Sequence, residues 1–205
     1  MANNPHKIRF APQGGIFLAP APGTAGSTTT LPTDVGDGKS APTGYVGLGY
    51  VDEGGVTITP TIETQPVSAW QSAVPVVYNV DSASFQIKAT LIETSQLTTE
   101  LFFGAKWYAV KDEEGKDTGV YRLDLSSAPD VSELSFVVDW STTGVHYRCV
   151  IPRAMISERG AIQLQRKESS KFELTINALD SNGGLGYVLT DDDILDTAST
   201  FALAA

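Results

Sequence analysis

Few residues in this chain could do chemistry. A nucleophilic triad needs a general base beside an activated Ser or Cys, and the chain has two histidines, His6 and His146. His6 lies in a loose N-terminal stretch. His146 lies on a strand-like run whose alternate positions are apolar. No Gly-x-Ser-x-Gly elbow occurs, so catalysis is not expected. The single cysteine, Cys149, excludes an intrachain disulfide. It alternates with Val145, Tyr147 and Ile151, which predicts a buried structural thiol. Asp191, Asp192 and Asp193 form the densest carboxylate run, but adjacent side chains diverge and no calcium-loop spacing surrounds a central glycine. Solvation or a helix N-terminus is the expectation there. The run Gly44-Tyr45-Val46-Gly47-Leu48-Gly49 lacks the lysine and following helix of a phosphate loop. Neither a metal nor a cofactor is expected. Trp70, Trp107 and Trp140 read as core or interface anchors. A carbohydrate-binding β-sandwich, with tryptophans stacking on sugar rings, is the alternative from a different class.

The elements that would position these residues centre on Ser84–Gly104. Phe85, Ile87, Ala89 and Leu91 alternate with Ser84, Gln86, Lys88 and Thr90, the period of a strand with one buried face. The period then changes: Leu97 and Leu101 are four apart, Thr94 or Ser95 can cap, and Gly104 can take the left-handed position after the last turn. A short helix is predicted, too short to stand alone. Most other stretches read as strands. Tyr45–Glu63 reads as a hairpin turning at Gly54-Gly55. Leu134, Phe136, Val138 and Trp140, alternating with Ser135, Val137 and Asp139, then Val145, Tyr147, Cys149 and Ile151, make the clearest hairpin, which Pro152 is expected to end. Phe172, Leu174, Ile176 and Ala178 alternate with Lys171, Glu173, Thr175 and Asn177.

With 205 residues, one domain with long arms is expected. The division predicted is an extended N-terminal arm over 1–45, a β-domain over 46–182 and a C-terminal arm over 183–205. Pro, Gly, Ala, Ser and Thr dominate the first arm, which cannot fold alone. Its apolar island, Ile16, Phe17 and Leu18, needs a partner surface, either its own domain or the next subunit. Deleting Met1–Thr43 is expected to leave a folded domain that no longer polymerises. Charged residues make up 19% of the chain, which suits a surface covered by neighbours. The net charge of -10 disfavours binding to phosphates, which lysine and arginine supply. No apolar run approaches a membrane span, and the N-terminus lacks signal-peptide regions. A cytoplasmic site of synthesis is expected.

Several segments carry a resemblance in their order: Gly14–Pro20, Leu31–Asp34, Val46–Thr57, Ala69-Trp70, Phe85–Glu93, Leu101–Gly104 and Tyr147–Ala154. Together they resemble the major tail tube proteins of long, non-contractile-tailed bacteriophages, especially those of actinobacterial hosts. The resemblance implies a mainly β, sandwich- or barrel-like fold with one short flanking helix. It also implies hexameric rings stacked into a virion tail tube, assembled in the host cytoplasm, whose inner sheets join edge to edge around a channel. DNA would pass through that channel without specific binding. The tape measure protein, tail terminator and distal tail proteins are the implied partners. The arm residues Ile16, Phe17 and Leu18 are then expected between subunits. The strand faces Gln86, Lys88, Thr90 and Lys171, Glu173, Thr175, Asn177 are candidates for the lumen or an interface. Lys88 and Lys171 fit an acidic lining only where acidic neighbours offset them. A tube protein of a contractile tail or a secretion machine shares the architecture.

Overall fold

The computed structural model describes residues 5–127 and 132–193 of the chain. It is mainly β, with antiparallel sheets, a short 3-10 turn at Pro5–Lys7 and one α-helix. The described residues form two compact units, one within 5–49, 133–153 and 186–193, the other within 50–127, 132 and 154–185.

The first unit holds strands β1 (Gln13–Pro20), β2 (Val46–Gly47), β7 (Leu134–Thr142), the first part of β8 (Val145–Arg159) and β10 (Tyr187–Thr190). Their order is β2-β1-β7-β8, with β10 on β8. β1 lies between two strands, with Phe17 opposite both Gly47 and Val137. Ile16, Phe17, Leu18 and Ala19 are all buried, so both faces of β1 are covered. The apolar island of the expected arm is therefore a core strand. Of the two partner surfaces left open, these three side chains use their own chain, and the inter-subunit assignment of Ile16, Phe17 and Leu18 is corrected. Deleting Met1–Thr43 would remove this strand, so the truncated chain would not keep an intact fold.

Ser135, Val137 and Asp139 alternate with Phe136 and Val138, yet all three are fully buried. The segment after β1 covers them. Tyr45 packs with Phe17, Ala19, Val137 and Val150, and its hydroxyl lies 2.8 Å from Ser135 Oγ. Ser135 in turn donates to the Ile151 carbonyl at 3.1 Å. Arg148 donates through Nε and Nη2 to the two Asp139 oxygens, both at 2.7 Å, and through Nη1 to Asp34 at 2.8 Å. A buried charge needs such pairing. The guanidinium lies so close to Gly36 that a Cβ there would sit 2.0 Å from Nη2. On the opposite face Trp140 stacks flat on Tyr147 at 5.2 Å, as the alternation of that hairpin predicts.

The second unit holds β3 (Val51–Val67), β4 (Val77–Leu91), α1 (Gln96–Phe103), β5 (Trp107–Lys111), β6 (Asp117–Leu123), the end of β8 and β9 (Phe172–Ala178). Its larger sheet runs β8-β9-β4-β3, and β5 and β6 form a separate hairpin. The helix has the expected ends: Ser95 accepts from the Thr98 amide, and Gly104 sits at φ 64°. Its buried residues are Thr98, Thr99 and Phe102 rather than Leu97 and Leu101. Phe102 packs edge-on against Phe172 of β9 at 5.4 Å, and that aromatic contact sets which side of α1 faces the sheet. Thr99 Oγ1 donates to main-chain carbonyls and accepts from Trp107 Nε1 at 2.8 Å.

The hairpin expected to turn at Gly54-Gly55 does not form. β3 runs through both glycines, and the pairing jumps from Val51↔Leu91 to Val56↔Ala89. The extra residues on β3 make a bulge, with Gly55 at φ 67°, where a side chain would be strained. The true turn lies far beyond, between Val67 and Val77, which are the last pair of the β3–β4 ladder. Likewise β8 continues through Pro152 to Arg159, although Pro152 reads as a strand end.

Candidate functional site

The register of the second unit sorts its larger sheet into two chemically distinct faces, because directly opposed residues share a side. On one face Ile58 opposes Ile87, Ile87 opposes Ile176, and Ala89 opposes Leu174. Ile87, Ala89, Leu91, Phe172, Leu174 and Ile176 are all buried. On the other face Thr59 opposes Gln86, Gln86 opposes Asn177, Lys88 opposes Thr175, and Thr90 opposes Glu173. Glu158 opposes Thr175 from β8. The candidate residues of β4 and β9 thus lie side by side on one polar face. Thr175 is nevertheless buried there, and Gln86 Nε2 donates to Asn177 Oδ1 at 3.1 Å.

The two lysines of this region are neutralised locally. Lys88 Nζ lies 2.7 Å from Glu173 Oε1, and Lys171 Nζ lies 3.1 Å from Asp52 Oδ2. The Glu173 hydrogen bond raises the Lys88 pKa, and the Asp52 hydrogen bond raises that of Lys171. Lys171 in return lowers the Asp52 carboxyl. All four side chains keep substantial solvent access, so screening leaves little stabilisation from either pair. An open cleft of about 360 Å³ adjoins the face, lined by Asp52, Thr90, Gln163, Glu168, Lys171 and Glu173 among others. A pairing between residues so far apart in sequence carries no local signal.

Beyond Phe85 the β3–β4 hairpin is exposed on both sides. From Thr64 to Val80 it holds no Asp, Glu, Lys, Arg or His. Instead Val67, Val74, Val76, Val77, Tyr78 and Val80 stand open to solvent, and Trp70 is 98% exposed. β3 ends the sheet order, so among the described residues its outer margin carries no strand. Pro60 and Pro66 fall on this margin strand, where proline is tolerated. Exposed apolar groups gathered in one stretch are the kind of surface that partners cover. The sequence alone divides it into a connector over Thr64–Ser72 and one strand-like run over Val74–Val80. The charge-free run was the available signal.

The other candidates have structural uses. Cys149 is buried, which pushes its thiol pKa up to about 11 and keeps it protonated and unreactive. Asp191 accepts from the His146 amide at 2.7 Å and lies 2.8 Å from its Nδ1. Asp192 receives Arg9 Nε at 2.7 Å and Nη2 at 2.8 Å, and the Tyr147 hydroxyl also donates to it. These bonds tie both ends of the described chain to β8. The remainder of the expected C-terminal arm, 194–205, lies outside the described residues. Gly44 and Gly49, at φ 84° and 82°, bracket the buried Tyr45 and Leu48. Among the described residues no group of three or more His, Cys, Asp or Glu could hold a metal ion. None of their helices is long and apolar enough to cross a membrane.

No curated protein matches this chain. A polar sheet face with paired lysines, beside an exposed apolar hairpin, suits a subunit built to be surrounded by others. The family model described as phage tail tube protein matches residues 1–200, and the chain belongs to that family, a structural component of the virion tail.

Proposed function

We propose that copies of this chain close into hexameric rings that stack into a tail tube, and that the tube conducts phage DNA during ejection. The observation that carries this reading is the β3–β4 hairpin: long, free of charged residues and apolar from Thr64 to Val80, and with no strand beyond β3 among the described residues. An edge strand of this kind is a template for another strand. A ring of sheets removes the hazard by closing every edge. In a protein of net charge -10, a charge-free surface is also where two copies approach with least repulsion.

The polar face of β4 and β9 then lines the lumen. Gln86, Lys88, Thr90, Glu173 and Asn177 would present a hydroxyl, amides and a neutralised ion pair to the passing duplex, while Thr175 stays buried beneath them. Affinity for phosphate comes from basic groups, so such a lining lets DNA move without being held. Long non-contractile tails, with the tape measure, terminator and distal tail proteins as partners, are part of the same reading. Assembly in the host cytoplasm belongs to it as well.

Negative-stain electron microscopy of the concentrated protein tests the proposal, alone and with tail-initiating partners. Rings or tubes are expected. A monomer under all of these conditions would overturn it.

A further inference from the structure

The two carboxylates beside the polar face are bound chiefly to lysines; Asp52 also accepts from the Glu53 main-chain amide. Glu173 and Asp52 each hold a lysine that keeps substantial solvent access, at 2.7 and 3.1 Å. Such screened pairs add little to folding. Removing the lysines would be a simpler way to an uncharged surface, yet both lysines are present and both are covered. Glu158, opposite Thr175, adds a second negative charge that favours the charged form of Lys88. Glu168 does the same for Lys171. Glu53 adds a third acid at Lys171, so Lys88 faces two acids and Lys171 three, with one of each set in direct contact.

We infer that Asp52 and Glu173 are specificity-determining residues that mask Lys171 and Lys88 from nucleic-acid phosphates, so that the face is a latent DNA-binding surface held silent by its own carboxylates. The inference rests on the lumen reading for its biological use, but its chemistry belongs to the face itself. A lysine whose carboxylate partner is neutralised becomes available to a phosphate oxygen. Each new lysine–phosphate pairing releases counterions and makes binding salt-dependent. The polar neighbours Gln86, Thr90 and Asn177 would then supply hydrogen bonds to the sugar-phosphate backbone without reading sequence.

The test uses the full chain and a fluorescent double-stranded DNA oligonucleotide, with anisotropy read at low salt and across a salt series. The wild type is expected to show no saturable binding. The pair Asp52→Asn with Glu173→Gln is expected to bind at least about tenfold more tightly, with a log–log salt slope near about -2 for two freed lysines. Adding Lys88→Met and Lys171→Met should abolish the gain. Removing two charges elsewhere, with Glu113→Gln and Asp117→Asn on the β5–β6 hairpin, should leave the protein as silent as the wild type. Equal gains from both neutralised pairs, or a gain that survives loss of the lysines, would overturn the inference. So would no gain at all in a protein whose thermal unfolding matches the wild type. The single variant Glu173→Gln, read against Glu173→Gln with Lys88→Met, repeats the test if the double variant is misfolded. Micrographs decide the tube separately: tubes without a DNA gain refute the mask alone, and a DNA gain without tubes refutes the tube alone.

Discussion

Two apolar stretches of this chain have opposite fates. Ile16, Phe17, Leu18 and Ala19 on β1 are buried between β2 and β7. Val74, Val76, Val77, Tyr78 and Val80 on the distal β3–β4 hairpin are exposed. Hydrophobicity alone does not separate them. The first lies in a Pro- and Gly-rich stretch that looks unable to fold, and is core. The second lies in a strand-like run with Pro75 at its edge or start, and is surface. The difference is what pairs alongside. β1 has a strand on each margin and Tyr45 over one face, whereas the distal hairpin has only itself. A two-stranded ribbon has no second layer to bury its apolar side.

The sharpest break in that contrast is Phe17→Ala. The ring packs with Ala19, Tyr45, Val137 and Val150, and loss of a buried phenylalanine costs about 3–5 kcal/mol. Urea unfolding should show a correspondingly lower midpoint. A cost below about 1 kcal/mol, the level of surface substitutions, would remove β1 from the core. Next, Trp70→Ser with Val76→Ser on the hairpin should leave unfolding within about 0.5 kcal/mol of wild type while abolishing polymers under the electron microscope. Strong destabilisation with intact polymers would reverse the roles assigned to the two stretches.

The smallest effect concerns the fastening of β10. The His146 hydrogen bonds lower the Asp191 carboxyl below the ordinary aspartate value of about 3.9. A depressed carboxylate stabilises the fold above its unfolded value, and the contribution is lost as pH falls through the lower folded value. Amide protection factors, taken relative to the intrinsic rate at each pH, should therefore fall at Tyr187–Thr190 below about pH 4, more than at Phe136–Val138. Asp191→Asn should flatten that difference. Equal loss of protection in both strands would mean that another group governs the acid response.

Much of this fold was legible because its signals are local. The alternation from Phe85 to Leu91, the Ser95 cap, the left-handed Gly104 and the β7–β8 hairpin each depend on a few adjacent residues. What failed depends on distant partners. Gly54-Gly55 suits a tight turn and a bulge equally well, and the β4 register decides for the bulge. Ser135 and Asp139 look solvated until Tyr45 and Arg148 reach them. The candidate face was legible strand by strand, in Gln86, Lys88, Thr90 and in Glu173, Thr175, Asn177. That Glu173 and Asp52 would neutralise its lysines was visible only once β9 lay beside β4 and Asp52 beside Lys171.

Cys149 is the only thiol in the chain and is 1% exposed within β8. A maleimide or a disulfide reagent can reach it only when the strands around it part. The native sequence therefore carries its own clock for breathing of the first unit, with no label to engineer in. The same reaction, timed before and after subunits join, would read how far assembly slows that opening.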